Sequence, residues 1–391
     1  MSAAAISSMR PARGWSDPAF RALATQAAVL LLLVGTVAFL ATNLVGNLEA
    51  RSIRTGFGFL WQAAGFEIGQ SFIAYSPSAS FARALLVGLL NTFVVASLGI
   101  LLSTLAGFVV GIASLSRNPL VSPLARLYVE LIRNTPLLLQ LYLWYAVLTQ
   151  MLPAASAAPQ LLPGLYLAKS GLHFPVLRQG AGLLLPAAAV GILAWAAYGL
   201  WSRRRAERTG APARLWPGLL LLVLPLLASA LSLAGTAAID LPQPTRFGFS
   251  GGGMITPELT ALLIGLSLYN AAFVGEILRG GILSVGRGQL EAATALGLSR
   301  GRTLRLVVIP QAMRVAVPPL ASQYLNLAKN TSLAIAIGYP DLMSIGNTII
   351  NQTGQAVEVI AILMSVYLAI SLAISAFMNW YNARVALKGA S

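Results

Sequence analysis

The sequence of 391 residues has no cysteine, a single histidine and a small share of charged residues. The lack of cysteine excludes disulfide bonds, thiol catalysis and thiolate metal sites. His173 has no partner histidine, so we expect a solvated loop residue rather than a metal ligand. Only 9% of the residues are charged, against about a quarter in soluble proteins. Because 57% are hydrophobic, too little polar surface remains to face water on all sides, and we predict an all-α integral membrane protein.

Lysine is also scarce, and its surroundings exclude one class of ATPase site. A phosphate-binding P-loop needs a lysine that directly follows glycine. The three lysines, Lys169, Lys329 and Lys388, instead follow alanine, alanine and leucine. The sequence therefore contains no P-loop, and we expect the chain not to be an ATP-hydrolysing enzyme.

Eight long intervals are apolar and almost free of charge. A helix of about 20 such residues crosses a bilayer, because it satisfies its own backbone hydrogen bonds. The intervals are residues 22–48, 84–116, 134–169, 179–202, 215–239, 259–275, 315–340 and 359–383. The seventh interval contains Lys329 and is the weakest. We predict about eight transmembrane helices, with the first retained as an anchor because no cleavable signal pattern precedes Arg21.

The distribution of positive charge predicts the orientation of these helices. With both termini in the cytoplasm, eighteen of the 26 Lys and Arg residues fall inside and six fall outside. Arg133 and Lys329 lie near or within the membrane. This is the excess that the positive-inside rule requires. The net charge of +15 therefore reflects membrane topology, and we expect no nucleic-acid partner.

Composition and spans divide the chain into four blocks. Residues 1–83 hold an N-terminal cytoplasmic segment, an anchor helix and an external loop. Residues 84–152 form the first part of a membrane core, and residues 153–256 form a Pro/Gly/Ala-rich insertion with two more helices. Residues 257–391 form the second part of the core, with a charged cytoplasmic loop at about 284–310.

That loop contains a spaced motif. Glu291, Ala292 and Ala293 are followed by Gly297, a basic stretch and the segment Val307–Pro310. Leu290, Ala293 and Gly297 fall on one face of a short helix, where small side chains allow a partner's backbone to come close. Gly297 can take the left-handed conformation that ends such a helix, and Pro310 stops the turn before the next span.

The pattern resembles the EAA loop of ABC importer permeases. Three further segments resemble the polar and general L-amino-acid permeases of the histidine/glutamine type: residues 128–140, 276–282 and 329–333. The anchor helix and the 153–256 insertion depart from the smaller members of that family.

The resemblance implies a type I importer core that binds no cofactor itself. ATP and Mg would be bound by a dimer of partner ATPase subunits, which the EAA loop contacts through Glu291, Ala292, Ala293, Gly297 and Pro310. It also implies a second permease subunit that is a different chain, a periplasmic amino-acid-binding protein, and a place among the lipids of the bacterial inner membrane.

Charged residues inside spans are candidates for the substrate pathway, because their burial in lipid is costly. These candidates are Glu276, Lys329, Asn330, Thr331 and Ser332. Lys329 could instead pair with Glu276 or extend to an interface. Glu130 and Arg133, three residues apart on one helix, are predicted to form a structural ion pair.

Two other functions fit part of the pattern. In an ion-coupled secondary transporter, Glu130, Glu276 and Lys329 would relay protons, but the EAA loop would have no role. A channel-like membrane protein explains only the hydropathy. Co-purification of a P-loop ATPase would separate the importer from both.

Overall fold

The computed structural model describes residues 18–50, 55–177, 181–209, 215–234, 239–246 and 248–385. Both termini, which the charge distribution predicts to be cytoplasmic, lie outside these ranges. The helices in chain order are α1 Pro18–Ala50, α2 Phe81–Ser114, α3 Val121–Asn134, α4 Leu137–Ala146, α5 Ala181–Thr209, α6 Leu215–Ala234, α7 Pro257–Leu283, α8 Arg287–Ala295, α9 Arg300–Thr303, α10 Ile309–Asn330, α11 Leu342–Thr353 and α12 Ala356–Val385. Short π-helical turns and 3-10 turns supplement them at Val147–Met151, Leu304–Val308, Phe57–Trp61, Ala155–Ala157 and Thr331–Ile337.

Five helical segments of the described chain are long and apolar enough to cross a membrane. They are Phe20–Asn43, Phe81–Ser114, Pro257–Leu283, Arg300–Ile337 and Ala356–Ala383. Three shorter apolar helices, Leu137–Met151, Pro186–Ser202 and Trp216–Ser229, overlap the remaining predicted intervals. The protein is therefore mostly helical and multi-pass, while the number of eight spans stays a prediction.

The all-α prediction is wrong at one end of the molecule, where eight short strands form. They are β1 Gln160–Leu162, β2 Leu165–Ala168, β3 Gly171–Phe174, β4 Val176–Leu177, β5 Ile239–Asp240, β6 Gln243–Pro244, β7 Phe249–Ser250 and β8 Gly253–Ile255. One antiparallel sheet has the order β1-β2-β3-β8, and β4 pairs with β5. The predicted third span, 134–169, consequently ends as a helix at Met151. Its outer part forms strands because Pro153 and Gly164 interrupt any helix there.

His173 lies in β3 and is 5% exposed, so the expectation of a solvated loop residue is wrong. Its ring stacks on Phe249, with centroids 3.9 Å apart, and its Nε2 lies 3.0 Å from the hydroxyl of Ser170. Burial lowers the pKa of the imidazole from its usual value of 6.5. The sheet therefore encloses the neutral form of the ring.

We expect the sheet to weaken in acid because of His173. With a pKa lowered by folding, the unfolded chain takes up the proton first, so stability is present above pH 6.5 and falls as the pH drops below that value. Thermal melting of the purified protein at pH 7.5 and pH 5.5 measures the loss. The His173→Gln variant has no titrating side chain at this position, so its melting temperature should differ less between the two pH values. An equal difference in the variant would show that other residues cause the acid sensitivity.

The main helix pair, α2 with α7, is packed through glycine. An ideal Cβ on Gly107 would lie 2.6 Å from the Cβ of Val274, and one on Gly111 would lie 3.0 Å from the carbonyl oxygen of Gly275. In lipid, where apolar burial gives little driving force between helices, such close backbone contact is what holds spans together. Thr104 adds a 2.8 Å hydrogen bond to Tyr324, which joins α2 to α10.

Polar contacts fix the end of the molecule opposite α8. Asn91 of α2 donates to the carbonyl oxygens of Gln70 and Pro340, both at 2.8 Å. Asp341 caps α11 through the backbone N–H of Ser344. Glu358 accepts a 2.6 Å hydrogen bond from the Gly56 backbone N–H. The segments before α2 and around α11 therefore meet at one end, while α7 runs from that end to the loop that contains α8.

The helices α5 and α6 pack chiefly on each other. An ideal Cβ on Gly191 would come within 2.6 Å of the Leu222 carbonyl oxygen, so the two helices are in close contact there. Their outer ends join the rest of the protein through β4 and β5, where Leu177 and Ile239 are direct partners. The described part of α1 has apolar side chains that are exposed along its length.

Candidate coupling loop and charged cavity

The helix α8 ends as the sequence predicts. Gly297 has φ of +70°, in the left-handed region. The Gly297 N–H donates to the carbonyl oxygen of Thr294, and the Leu298 N–H donates to that of Ala293, at 2.9 and 3.1 Å. This pair of bonds is the Schellman motif, which satisfies the last carbonyls of a helix and turns the chain away. The predicted left-handed glycine is confirmed.

One residue of the predicted α8 face is covered by the chain itself, while Leu290 and Gly297 are exposed as predicted. Ala293 is 3% exposed, because α8 packs against α9 and the Leu304–Val308 turn. Glu291 and Ala292 are exposed instead, together with Leu296, whose side chain is 80% exposed. Ala293 therefore packs inside the loop of its own chain, and Glu291, Ala292 and Leu296 are among the exposed residues of α8.

Pro310 does not stop a turn, contrary to the prediction. It is the second residue of α10, and the chain is helical from Arg300 to Ile337. Proline has no N–H to donate to the carbonyl four residues earlier. The preceding residues, Leu304–Val308, form a π-helical turn, as expected where the α-helical hydrogen bonds are interrupted. The loop is thus continuous with α10, and Gln311 also donates to Gln289 of α8 at 3.4 Å.

A charged cavity of about 460 Å³ lies between α3 and α7. Its lining is Arg126, Val129, Glu130, Arg133, Asn134, Phe273, Glu276 and Arg279. Each of the two helices contributes a glutamate followed three residues later by an arginine. Three guanidinium groups thus face two carboxylates, which leaves one excess positive charge.

Of these charges, Glu276 and Arg279 are bound to each other. Arg279 donates from Nε and Nη2 to the two carboxylate oxygens of Glu276, at 2.9 and 2.6 Å. This fork geometry is the strong form of an arginine–carboxylate contact. The closed pair occupies Glu276, so it is not the partner of Lys329.

The predicted Glu130–Arg133 ion pair does not form within the described chain. The Arg133 guanidinium lies 5.1 Å from the centroid of the Phe273 ring. A cation over an aromatic face is attracted by the negative face of the ring. Glu130 is exposed and lines the cavity beside it. The prediction failed because a residue of α7 draws Arg133 away from its own helix.

The segment Lys329–Ser332 marks the point where α10 gives way to a 3-10 turn. Lys329 is exposed and does not line the charged cavity. Thr331 is fully buried, and its hydroxyl donates to the Ala328 carbonyl oxygen at 2.8 Å. The hydroxyl of Ser332 donates to the carbonyl oxygen of Lys329. Asn330 is half-buried.

Comparison with known proteins assigns the chain to a family. A family model described as the binding-protein-dependent transport system inner membrane component matches residues 216–387. The chain is 44% identical to the general L-amino acid transport system permease protein AapQ of Rhizobium johnstonii, with 96% of each chain covered. The chain belongs to the family of amino-acid ABC transporter permeases.

Two further relatives match the chain over nearly its whole length. The putative amino-acid ABC transporter permease protein YhdX of Escherichia coli is 43% identical, with 97% of this chain and 98% of the relative covered. The glutamate/glutamine/aspartate/asparagine transport system permease protein BztB of Rhodobacter capsulatus is 41% identical, with 95% of each covered. The 153–256 segment is therefore shared with permeases of this length.

Five lining residues of this permease's cavity were not among the predicted site residues, and Arg126 and Phe273 are two of them. A signal for both was present. Arg126, Val129, Glu130 and Arg133 have the i, i+3, i+4, i+7 spacing of one helix face. Phe273 precedes Glu276 and Arg279 at intervals of three, which again indicates one face. The sequence thus indicates the two faces, but not that they meet in one cavity.

Proposed function

We propose that this permease forms the translocation pathway of an ATP-driven amino-acid importer and is driven by a separate ATPase through the loop 284–310. The observation that carries the proposal is the Schellman-ended α8, which holds Glu291, Ala292 and Leu296 on an exposed surface continuous with α10. The names of the whole-length relatives, all amino-acid permeases, support the substrate class.

The proposed assembly contains this chain, a second and different permease chain, a dimer of ATPase subunits that bind ATP and Mg, and a periplasmic amino-acid-binding protein. It would lie in the bacterial inner membrane with both termini and α8 in the cytoplasm. The positive-inside distribution supports this orientation. The sheet and the segments around α11 would then face the periplasm, where the binding protein arrives.

The proposed mechanism is alternating access. When the ATPase subunits close on ATP, they move α8. Because α8 packs on α9 and the Leu304–Val308 turn, and these continue into α10, the motion passes along α10 toward Lys329. The start of the loop also joins α8 directly to α7. A displacement of the loop would therefore act on both helices and change access to the pathway between them and the second permease.

The substrate-pathway residues stay predictions. Lys329, Asn330, Thr331 and Ser332 lie where α10 changes to a 3-10 turn, a point at which a helix can bend. Glu276 lines the charged cavity in its closed pair with Arg279. The names of the whole-length relatives favour the importer over an ion-coupled secondary transporter.

Reconstituted vesicles test the function. The complex is placed in liposomes with ATP trapped inside and loaded amino-acid-binding protein outside. We expect accumulation of labelled L-glutamine that requires both additions, and co-purification of a P-loop ATPase with this chain. Accumulation driven by a proton gradient without ATP would instead support a secondary transporter. Vesicles that contain the ATPase without this chain are the control.

A further inference from the structure

The cavity between α3 and α7 contains the same motif twice, once closed and once open. On α7, Glu276 and Arg279 neutralise each other at 2.6 Å. On α3, Glu130 and Arg133 have the same spacing, yet no hydrogen bond or ion pair joins their side chains in the described part of the chain. The two motifs line one cavity. Their difference therefore lies in what each arginine contacts, not in the spacing along the helix.

The open motif leaves two opposite charges with unused hydrogen-bonding capacity. Arg133 lies over the Phe273 ring at 5.1 Å, and its guanidinium donates no hydrogen bond to another residue that the structure describes. Glu130 accepts no hydrogen bond from the residues that the structure describes. Unpaired charges near lipid are costly, and they persist where a cavity admits water or a ligand.

We infer that Arg133 and Glu130 bind the α-carboxylate and the α-ammonium group of the amino acid in this cavity. The inference rests on the proposed function and specifies a site for it. Side chains three apart on a helix have Cβ atoms roughly 5–6 Å apart, so their charged ends can contact both groups of one zwitterion. A planar guanidinium is suited to bidentate recognition of a carboxylate.

The rest of the cavity fits a polar side chain on the substrate. Its volume of about 460 Å³ lies within the ordinary range for small-molecule sites. Arg126 and Asn134 remain to contact a carboxylate or amide at the end of the substrate side chain. The excess positive charge favours substrates whose net charge is zero or negative over cationic ones.

Binding to the purified complex tests the site apart from transport. This chain, its partner permease and the ATPase dimer are purified together without binding protein or nucleotide, and retention of labelled L-glutamine is measured by equilibrium dialysis. We expect displacement by unlabelled L-glutamine, but not by its α-carboxamide or by the analogue that lacks the α-amino group. Arg133→Gln and Glu130→Gln should each weaken binding about tenfold or more, and Arg133→Lys should retain part of the affinity.

Arg117→Gln is the matched control, because Arg117 is an exposed arginine just before α3 that does not line the cavity. Its binding should equal that of the wild type. Wild-type binding in an assembled Arg133→Gln or Glu130→Gln complex would overturn the inference, as would equal displacement by the carboxamide. If Arg133→Gln fails to assemble, the binding measured for Arg133→Lys and Glu130→Gln decides the test.

Failure of this site can be distinguished from failure of the proposed function. Wild-type vesicles that import L-glutamine while the purified complex retains none would overturn this site alone, whereas absence of ATP-driven import would overturn the proposed function.

Discussion

Replacement of Gly107 by leucine is expected to prevent the permease from folding stably. Any Cβ at this position would overlap the Val274 side chain at 2.6 Å and come within 3.1 Å of the Ala271 carbonyl oxygen. Because the obstacle includes backbone, α2 and α7 must separate and lose the close contact that holds them. Overpacking of a tight interface costs about 3 kcal/mol, and better helix propensity returns only about 1 kcal/mol. We expect a strongly reduced yield and a lower melting temperature in detergent.

Gly35→Leu is the matched control for this variant. Gly35 also lies within an apolar helix, α1, but a Cβ there would meet no atom within 4 Å. Fluorescence-detected gel filtration of the two variants, expressed side by side, compares the same chemical change in packed and unpacked surroundings. A Gly107→Leu protein as abundant and as heat-stable as Gly35→Leu would show that the α2–α7 contact does not limit stability.

Replacement of Gly297 by valine is expected to separate ATP hydrolysis from transport while the protein stays inserted. No atom lies within 4 Å of an added Cβ, so the cost is one of backbone conformation alone. A left-handed φ of +70° costs an ordinary residue about 1–2 kcal/mol, and a β-branched one more. The chain would leave this conformation and lose the two Schellman hydrogen bonds. Leu296 and Glu291 would then no longer be presented in a fixed geometry.

In reconstituted vesicles, Gly297→Val should lower amino-acid uptake per ATP hydrolysed at least about tenfold, with Gly297→Ala intermediate. Gly301→Val is the control, since Gly301 is exposed in the same loop without a positive φ and with no atom within 4 Å of a Cβ. If Gly301→Val and Gly297→Val lower the uptake per ATP hydrolysed equally, the effect comes from a larger side chain anywhere in the loop and not from the left-handed turn at Gly297.

Features set by a few neighbouring residues could be predicted from the sequence. Gly297 ends α8 as expected because the conformation depends on one glycine and on carbonyls three and four residues before it. The apolar intervals predicted most of the long helices for a related reason. Unpaired backbone groups cost free energy in lipid, and each spanning segment avoids that cost by forming its own helix. The loop motif also consists of residues close together in the sequence, so the motif and the family resemblance that rests on it could be recognised without the structure.

Features that depend on distant residues could not be predicted. Arg133 contacts Phe273, which is 140 positions away, and this contact rather than helix spacing determines its geometry. The strand β3 pairs with β8, and α5 and α6 lie between these two strands in the sequence. Ala293 looks free from the sequence of α8 alone, which does not show that α8 packs against α9 and the Leu304–Val308 turn. In each case a second element decides the outcome.

The pairing of β4 with β5 has a consequence for the modularity of the chain. Leu177 and Ile239 stand opposite each other in an antiparallel ladder, so their Cα atoms are only about 4.5–5.5 Å apart. A gap of that size is bridged by a two-residue hairpin turn. The α5–α6 hairpin is thus inserted between two strands, β4 and β5, that lie side by side. Its removal or replacement would leave α4 and α7 joined by the sheet that already connects them, without stretching either helix.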